Sequence, residues 1–454
     1  MRYLALLILF ALCAALMLAS CGRRFGPPRN HQPVDTNPGD TVTQGDWHTY
    51  RHDYQRTGRS EKTGPQDPHV LWSTTGFGEA VFNSANAAYI NGGDTSYGGL
   101  TEVKDGEVAW EQDATADGAP YFASVSHDGG LFGGYWSPTT EEQSLRRYSA
   151  DHELQWSYPL SYTGAPAELA GGGCCFIASP EGSMDSWIFC LNAEGGLVWQ
   201  KYEQTFFDLA PFLSIAEDGG ILGTTGNGLN GELGFASVFK LNAADGEIIW
   251  ETPAFPSEDV FGGLPSLPAI SDDGRIVVAD SLGVYCFSAD GELLWSYFPA
   301  GTDIYNLTGP SPWGEQWPPA IGPEGNIYVT MMEEVDTYAT ALLALSSGGD
   351  VLWRRDEHFE GAPIVDAAGT IYIGSGYGEP GAILDSVSQV DWMEPRNIVV
   401  ALNPDGTTKW EFSAPSEITV GQVWCLDNEG NLVVSGNLPS ETPDAQRMFW
   451  LGDE

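Results

Sequence analysis

The chain has 454 residues, with 62 Asp and Glu against 19 Lys and Arg, for a formal net charge of −43. Nucleic-acid affinity comes largely from Lys and Arg displacing counterions, so this charge excludes a nucleic-acid binder, and it disfavours anionic lipid surfaces for the same reason. With 42% hydrophobic and 12% aromatic residues the chain can bury a large core, and is neither a disordered acidic tail nor a coiled coil.

Met1-Arg2 precedes an apolar run from Tyr3 to Met17, followed by Leu18-Ala19-Ser20-Cys21-Gly22. A short positive start, an apolar stretch too short to span a membrane comfortably and small residues before a break describe a secretory signal. The last part resembles the bacterial lipobox. That resemblance implies a lipoprotein signal peptide over residues 1–20 and acyl chains on Cys21, the new N-terminus. No other run approaches the about 20 apolar residues of a membrane span, so the expected membrane attachment is the lipid alone. Residues 21–46, rich in Pro, Gly, Asn, Thr and Asp with no apolar period, read as a flexible tether.

From there the chain repeats. The segments KDGEVAW, ADHELQW, AEGGLVW, ADGEIIW, ADGELLW, SGGDVLW and PDGTTKW end at Trp110, Trp156, Trp199, Trp250, Trp295, Trp353 and Trp410. Gly stands four residues before each Trp except at His152. Upstream of the later Trp residues lies a second Gly-turn element, as in AEDGGILG, SDDGRIVVA and GPEGNIYVT, and between the two elements a strand such as VYCFS or VVALN. Gly reaches positive φ at little cost, so each element reads as a tight turn between β-strands. One unit is therefore a four-stranded antiparallel meander. Radial repetition of such sheets is an eight-bladed, all-β propeller over residues 47–454. Seven units end at Trp110 through Trp410 and an eighth runs from about Glu411 to Trp450. Trp72, which has no unit of its own, is expected to complete the eighth blade and close the ring by pairing N- and C-terminal segments.

The Trp-ended repeat, with its Gly-x-Ile-Tyr-like and Ala-Leu-Asn-like strands, resembles the pyrroloquinoline-quinone-type (PQQ-type) propeller repeat. The segment Trp47-His-Thr-Tyr-Arg-His-Asp-Tyr-Gln-Arg-Thr-Gly58 is similar to the motif that often precedes such rings. The resemblance implies the fold. For activity it leaves two branches, quinone-dependent dehydrogenases and propellers without a cofactor.

Trp72, Trp110, Trp156, Trp199, Trp250, Trp295, Trp353 and Trp410 recur once per blade, which suits docking between blades rather than one shared ligand. The Asp-Gly turns, of which that around Asp245 is nearest to a calcium loop, lack the alternating oxygen ligands and bidentate Glu, so no metal site is read from them. Gly226-Asn-Gly-Leu-Asn-Gly231 fits a dinucleotide fingerprint, but no helical period follows it, and it reads as a blade loop. Cys174-Cys175 carries the enzymatic branch, because in the resembling alcohol dehydrogenases a disulfide between adjacent cysteines lies over the quinone. Aligned on the repeats, the pair falls in the column of Arg275-Ile276, inside a strand whose neighbours face opposite ways. Cys190 and Cys286 occupy the column of Ala344 and Ala401 and read as small core residues; a cross-strand bond from Cys190 to one of the adjacent pair is the other option. Five cysteines remain after Cys13 and Cys21, an odd number. There is no C-x-x-C-H haem site, no H-E-x-x-H and no G-x-S-x-G.

Three functions follow as expectations. The first is a non-catalytic, lipid-anchored scaffold of the bacterial envelope, monomeric, acidic and binding envelope proteins; it resembles the BamB-type lipoproteins of the outer-membrane β-barrel assembly machine in lipobox, tether and blade count. The second is a PQQ-dependent dehydrogenase or quinone sensor with calcium. The third is a surface module for carbohydrate or matrix, with Trp313 and Trp317 in GPSPWGEQWPPA and Trp392 in the insertion from Tyr377 to Asn397 as binding-loop candidates.

Overall fold

In the computed structural model the described residues are 45–453, apart from loop segments 92–99, 113–122, 205–211, 230–235, 254–264, 300–316, 335–338, 376–397, 416–418 and 438–445 and scattered single or paired positions. Every described strand lies in one of eight antiparallel sheets. Blades 1 to 7 span residues 77–111, 123–159, 161–204, 214–253, 269–297, 320–355 and 359–413, each in simple meander order from the innermost strand outward. In blade 3 the innermost position is shared by two short strands, Ser161–Thr163 and Ala167–Glu168. Blade 8 takes its three inner strands from residues 419–452 and its outermost strand, His69–Thr75, from the other end of the chain. There Trp72 stands opposite Trp450, the rings stacked at 3.7 Å. The ring is thus closed as the repeat count requires.

Blade 5 shows why the residues fold this way. Its first turn, Ser271 to Gly274, closes on a Gly274 N–H to Ser271 carbonyl bond of 2.8 Å with Gly274 at φ +81. The middle strands, Ile276–Ala279 and Val284–Phe287, are buried on both faces against blades 4 and 6, which is why they read as continuous apolar runs rather than alternating ones. The outermost strand, Leu293–Tyr297, pairs with a register shift just before Trp295. Such a shift precedes the docking Trp in all eight blades. A bulge there bends and twists the outer edge.

Every docking Trp but Trp410 covers the second turn of the next blade. The indole N–H groups of Trp156, Trp199, Trp250, Trp295 and Trp353 donate to the carbonyls of Ala193, Ala243, Ala289, Ser347 and Pro404 at 2.8 to 3.1 Å. A Cβ added to Gly195, Gly246, Gly291, Gly349 or Gly406 would lie within 2.8 Å of those indoles. Trp110 meets His152 instead, stacked at 4.3 Å, with His152 forced to φ +61 in the place of the missing glycine. Trp410 donates to Pro65, where the incoming chain passes between blades 7 and 8.

A candidate site at the ring axis

The motif Trp47–Gly58 forms a strap coiled over the axial end of the innermost strands. The backbone N–H groups of Phe82, Val125, Ile215, Ile270, Ile321 and Val365, one each from blades 1, 2, 4, 5, 6 and 7, donate to the carbonyls of Trp47, His48, Tyr54, Gln55, Thr57 and Gly58 at 2.7 to 2.9 Å. Blade 3 is reached through the Tyr54 hydroxyl to Glu168, and blade 8 through the Asp46 N–H to Asn428 Oδ1. The coil is tight enough to hold Arg51, His52 and Arg56 at positive φ. Gly58 is required because a Cβ there would sit 2.1 Å from the Arg51 guanidinium.

Two buried arginines fill the axis beneath the strap. Arg56 donates from Nε to the Leu213 carbonyl at 3.0 Å, and from Nη1 to Thr49 Oγ1 at 2.9 Å and the Tyr50 carbonyl at 2.6 Å. Arg51 donates from Nη2 to the carbonyls of Pro363 at 2.8 Å and Pro319 at 3.3 Å. Arg51 Nε and Arg56 Nη2 have no hydrogen-bond partner among the described residues. Glu79 of blade 1 accepts from the Trp47 indole and from the Arg51 N–H. Burial raises its carboxyl to about 7 in spite of the neighbouring Arg51 charge. Around the outside of the coil, His52 lies between Asp53, at 3.0 Å, and Asp46, at 3.6 Å. Burial alone would lower the imidazole, but the two carboxylates outweigh it and raise it to about 9. Burial opposes ionisation of Asp53 as well, yet its bonds to His52 and Thr57 bring it down to about 2. His48, partly buried and beside the His52 charge, is pushed down to about 4. The arrangement is therefore a network of charge and backbone bonds that pins one segment to every blade. Sequence reasoning marked the motif but missed the roles of Arg51, Arg56 and Glu79; the signal was two arginines and several aromatics in a segment with no strand period.

Cys174 and Cys175 lie in a middle strand of blade 3, Cys174–Ser179, flanked by strands on both sides. Structural equivalence corrects the repeat alignment by one residue. Gly172, at φ +83, closes its turn on Leu169 as Gly274 closes on Ser271, so the pair matches Ile276-Val277 and not Arg275-Ile276. The run Gly171-Gly172-Gly173 hid the end of the turn. Cys174 packs among Phe132, Leu145 and Phe189 towards blade 2, and Cys175 among Leu213 and Phe239 towards blade 4. All five described cysteines are free and buried. The pair does not fit a quinone at the axis, since its two sulfurs enter different inter-blade cores. No group of three or more metal-ligating side chains occurs among the described residues. A cleft of about 220 Å³ between blades 5 and 6 has its cations already paired, Arg59 with Asp272 at 2.8 Å and Arg275 with Asp273 at 3.0 Å. Trp317 is half-buried, whereas Cys21, Trp313 and Trp392 lie outside the described residues.

Residues 184–312 match the family model described as outer membrane protein assembly factor BamB. None of the curated proteins matches the sequence. Among solved structures, the quinohemoprotein alcohol dehydrogenase ADHIIG from Pseudomonas putida HK5 is similar at a TM-score of 0.60 and 14% identity, covering 90% of this chain and 80% of that one. A europium-containing methanol dehydrogenase is similar at 0.62 and 12%, covering 90% and 98%. BamB from Moraxella catarrhalis is similar at 0.52 and 14%, covering 85% and 99%. At such identities the likeness is one of fold. The matched segment is similar to the PQQ-type repeat, and the ring as a whole is similar in fold to these structures.

Proposed function

We propose that this protein is a non-catalytic scaffold of the bacterial envelope, held by acyl chains on Cys21 and the 21–46 tether, that presents its loops and blade edges to protein partners, its clients being those of outer-membrane protein assembly. Likeness of fold does not favour this over quinone-dependent oxidation, because the two dehydrogenases are as similar as BamB. The observation that carries the reading is the strap: the axial end of the ring is packed with the chain's own Arg51, Arg56 and Trp47, each bonded to protein groups. A ring pinned in this way is rigid, which lowers the ordering cost of binding an extended or β-rich partner.

The test is titration of the mature chain with pyrroloquinoline quinone and calcium, following Trp fluorescence and dye reduction with simple alcohols and sugars. We expect no saturable quenching and direct binding to purified barrel-assembly proteins. Stoichiometric quenching with turnover would establish the dehydrogenase instead. Mass spectrometry of the N-terminal peptide reads the acylation of Cys21 separately.

A further inference from the structure

We propose that Cys175 and Cys190 form a disulfide across the two middle strands of blade 3 when the chain folds in an oxidising compartment. The two residues are direct partners in the register of Cys174–Ser179 with Ser186–Leu191. Blade 5 shows which kind of partner they are. Its hairpin closes with an Asp280 N–H to Gly283 carbonyl bond of 3.0 Å, so Asp280 and Gly283 are a hydrogen-bonded pair. Bonded and non-bonded pairs alternate along an antiparallel ladder. Counting back through Ala279 and Val284, then Val278 and Tyr285, makes Val277 and Cys286 a non-bonded pair. Cys175 and Cys190 are its equivalents, with Cys190 opposite Trp199 as Cys286 is opposite Trp295. Non-bonded partners have Cα atoms about 4.5 Å apart and side chains on the same face, inside the about 4.4 to 6.8 Å that a disulfide spans.

The local chemistry agrees. Both sulfurs lie in the one apolar cluster between blades 3 and 4. The Cys190 thiol points towards blade 4, its sulfur 3.8 Å from the Ala243 carbonyl. No other thiol is placed to compete: Cys174 stands opposite Leu191 on the other face, Cys286 opposite Val277 and Cys425 opposite Val433. The odd number of cysteines then resolves into one bridge and three core thiols.

The oxidant is a small or protein disulfide, R–S–S–R. One cysteine thiolate attacks it to give a mixed disulfide and release RS⁻, and the second thiolate displaces the other RS⁻ as the cysteine–cysteine bond forms. The two cysteines lose two electrons and two protons, and the donor leaves as two thiols. Cys175 is 0% and Cys190 2% exposed, so exchange takes place while the hairpin is open to solvent, before blade 4 covers it. The finished bond is then shielded from reductants.

The test refolds the reduced full chain with oxidised and reduced glutathione, then alkylates it in denaturant with and without prior reduction. Cleavage at Glu181 and Asp185, between the two cysteines, lets peptide mapping see the bridge, and Cys13 and Cys21 are read on separate peptides. Of the five ring cysteines we expect three to react before reduction and five after. Cys174→Ser is expected to leave two reactive thiols, and Cys190→Ala four; Ala at that column already folds in blades 6 and 7, as Ala344 and Ala401. Dithiothreitol is expected to lower the urea midpoint of the wild type and not that of Cys190→Ala. Five reactive thiols in the wild type overturn the proposal. So do two in Cys190→Ala, the mark of a Cys174–Cys175 bridge, and four in Cys174→Ser, the mark of a Cys174–Cys190 bridge. The refolding is done in vitro, so its outcome is independent of where the protein resides and of the scaffold reading.

Discussion

Replacing Gly291 by Ala tests the docking of one blade on the next. Gly291 sits at φ +82 under the Trp250 indole, and an added Cβ would lie 2.5 Å from Cδ2 and 2.6 Å from Cε3 of that ring. Two costs are expected. A side chain in the left-handed region costs about 1–2 kcal/mol, and displacing a packed indole costs about 1–3 kcal/mol more. The Trp250 bond to the Ala289 carbonyl, 3.1 Å, is strained by the same movement. The sum is about 2–5 kcal/mol. Gly219 supplies the control, because it has nearly the same φ of +80 and nothing within 4 Å of its added Cβ, so Gly219→Ala carries the backbone cost alone. Urea denaturation followed by circular dichroism and Trp fluorescence reads both. A double variant, Trp250→Ala with Gly291→Ala, separates the contributions: with the indole gone, the glycine replacement is expected to cost no more than at Gly219. Equal losses for Gly291→Ala and Gly219→Ala in the wild-type background would refute the argument that the glycines exist to admit the indoles.

The strap yields further expectations. Arg56→Met removes three hydrogen bonds from carbonyl and hydroxyl oxygens, two of them buried, and is expected to cost about 2–6 kcal/mol, at about 1–3 kcal/mol for each buried acceptor left unpaired, with the strap becoming the first site of limited proteolysis. Because His52 is raised to about 9, its contribution to stability is complete below its ordinary 6.5 and is lost as pH rises from there through 9; His52→Gln should flatten that part of a stability–pH curve. Glu79 acts in the same direction, since a carboxyl raised to about 7 favours the fold while protonated, and that advantage is lost as pH climbs from about 4.5 through 7; Glu79→Gln should abolish the loss. Asp53, lowered to about 2, stabilises the fold above its ordinary 3.8, an effect that disappears as pH falls through 2 and is absent in Asp53→Asn. At the blade 1 to 2 junction, His152→Ala is expected to destabilise more than His152→Gly in thermal unfolding. Both lose the stack on Trp110 and the contact with Tyr89, but only glycine relieves the positive φ.

Much of this architecture is a property of local sequence. A Gly four residues before a Trp, apolar middle strands and a Gly-turn ahead of them recur at intervals that each hold one four-stranded meander, so blade number and ring closure by Trp72 were readable from pattern alone. Turn chemistry and strand period act over a few residues, and repetition multiplies the signal. The three-glycine run before Cys174 shows the limit of that signal, because a turn with a spare glycine has no unique end until its hydrogen bonds are placed. The contacts of the axial strap lay beyond it. Arg51 finds its acceptors 268 and 312 residues away, and Asp46 its partner 382 residues away. The Arg51 acceptors are backbone carbonyls, which every residue possesses and no motif encodes. The same holds for the two cysteines of blade 3, whose types are visible in the sequence but whose shared face depends on register. What the sequence determined by itself is the repeating unit and its number; what the tertiary structure decided is the axis, because only closing the ring brings eight innermost strands around one point and leaves a buried space for the arginines to fill.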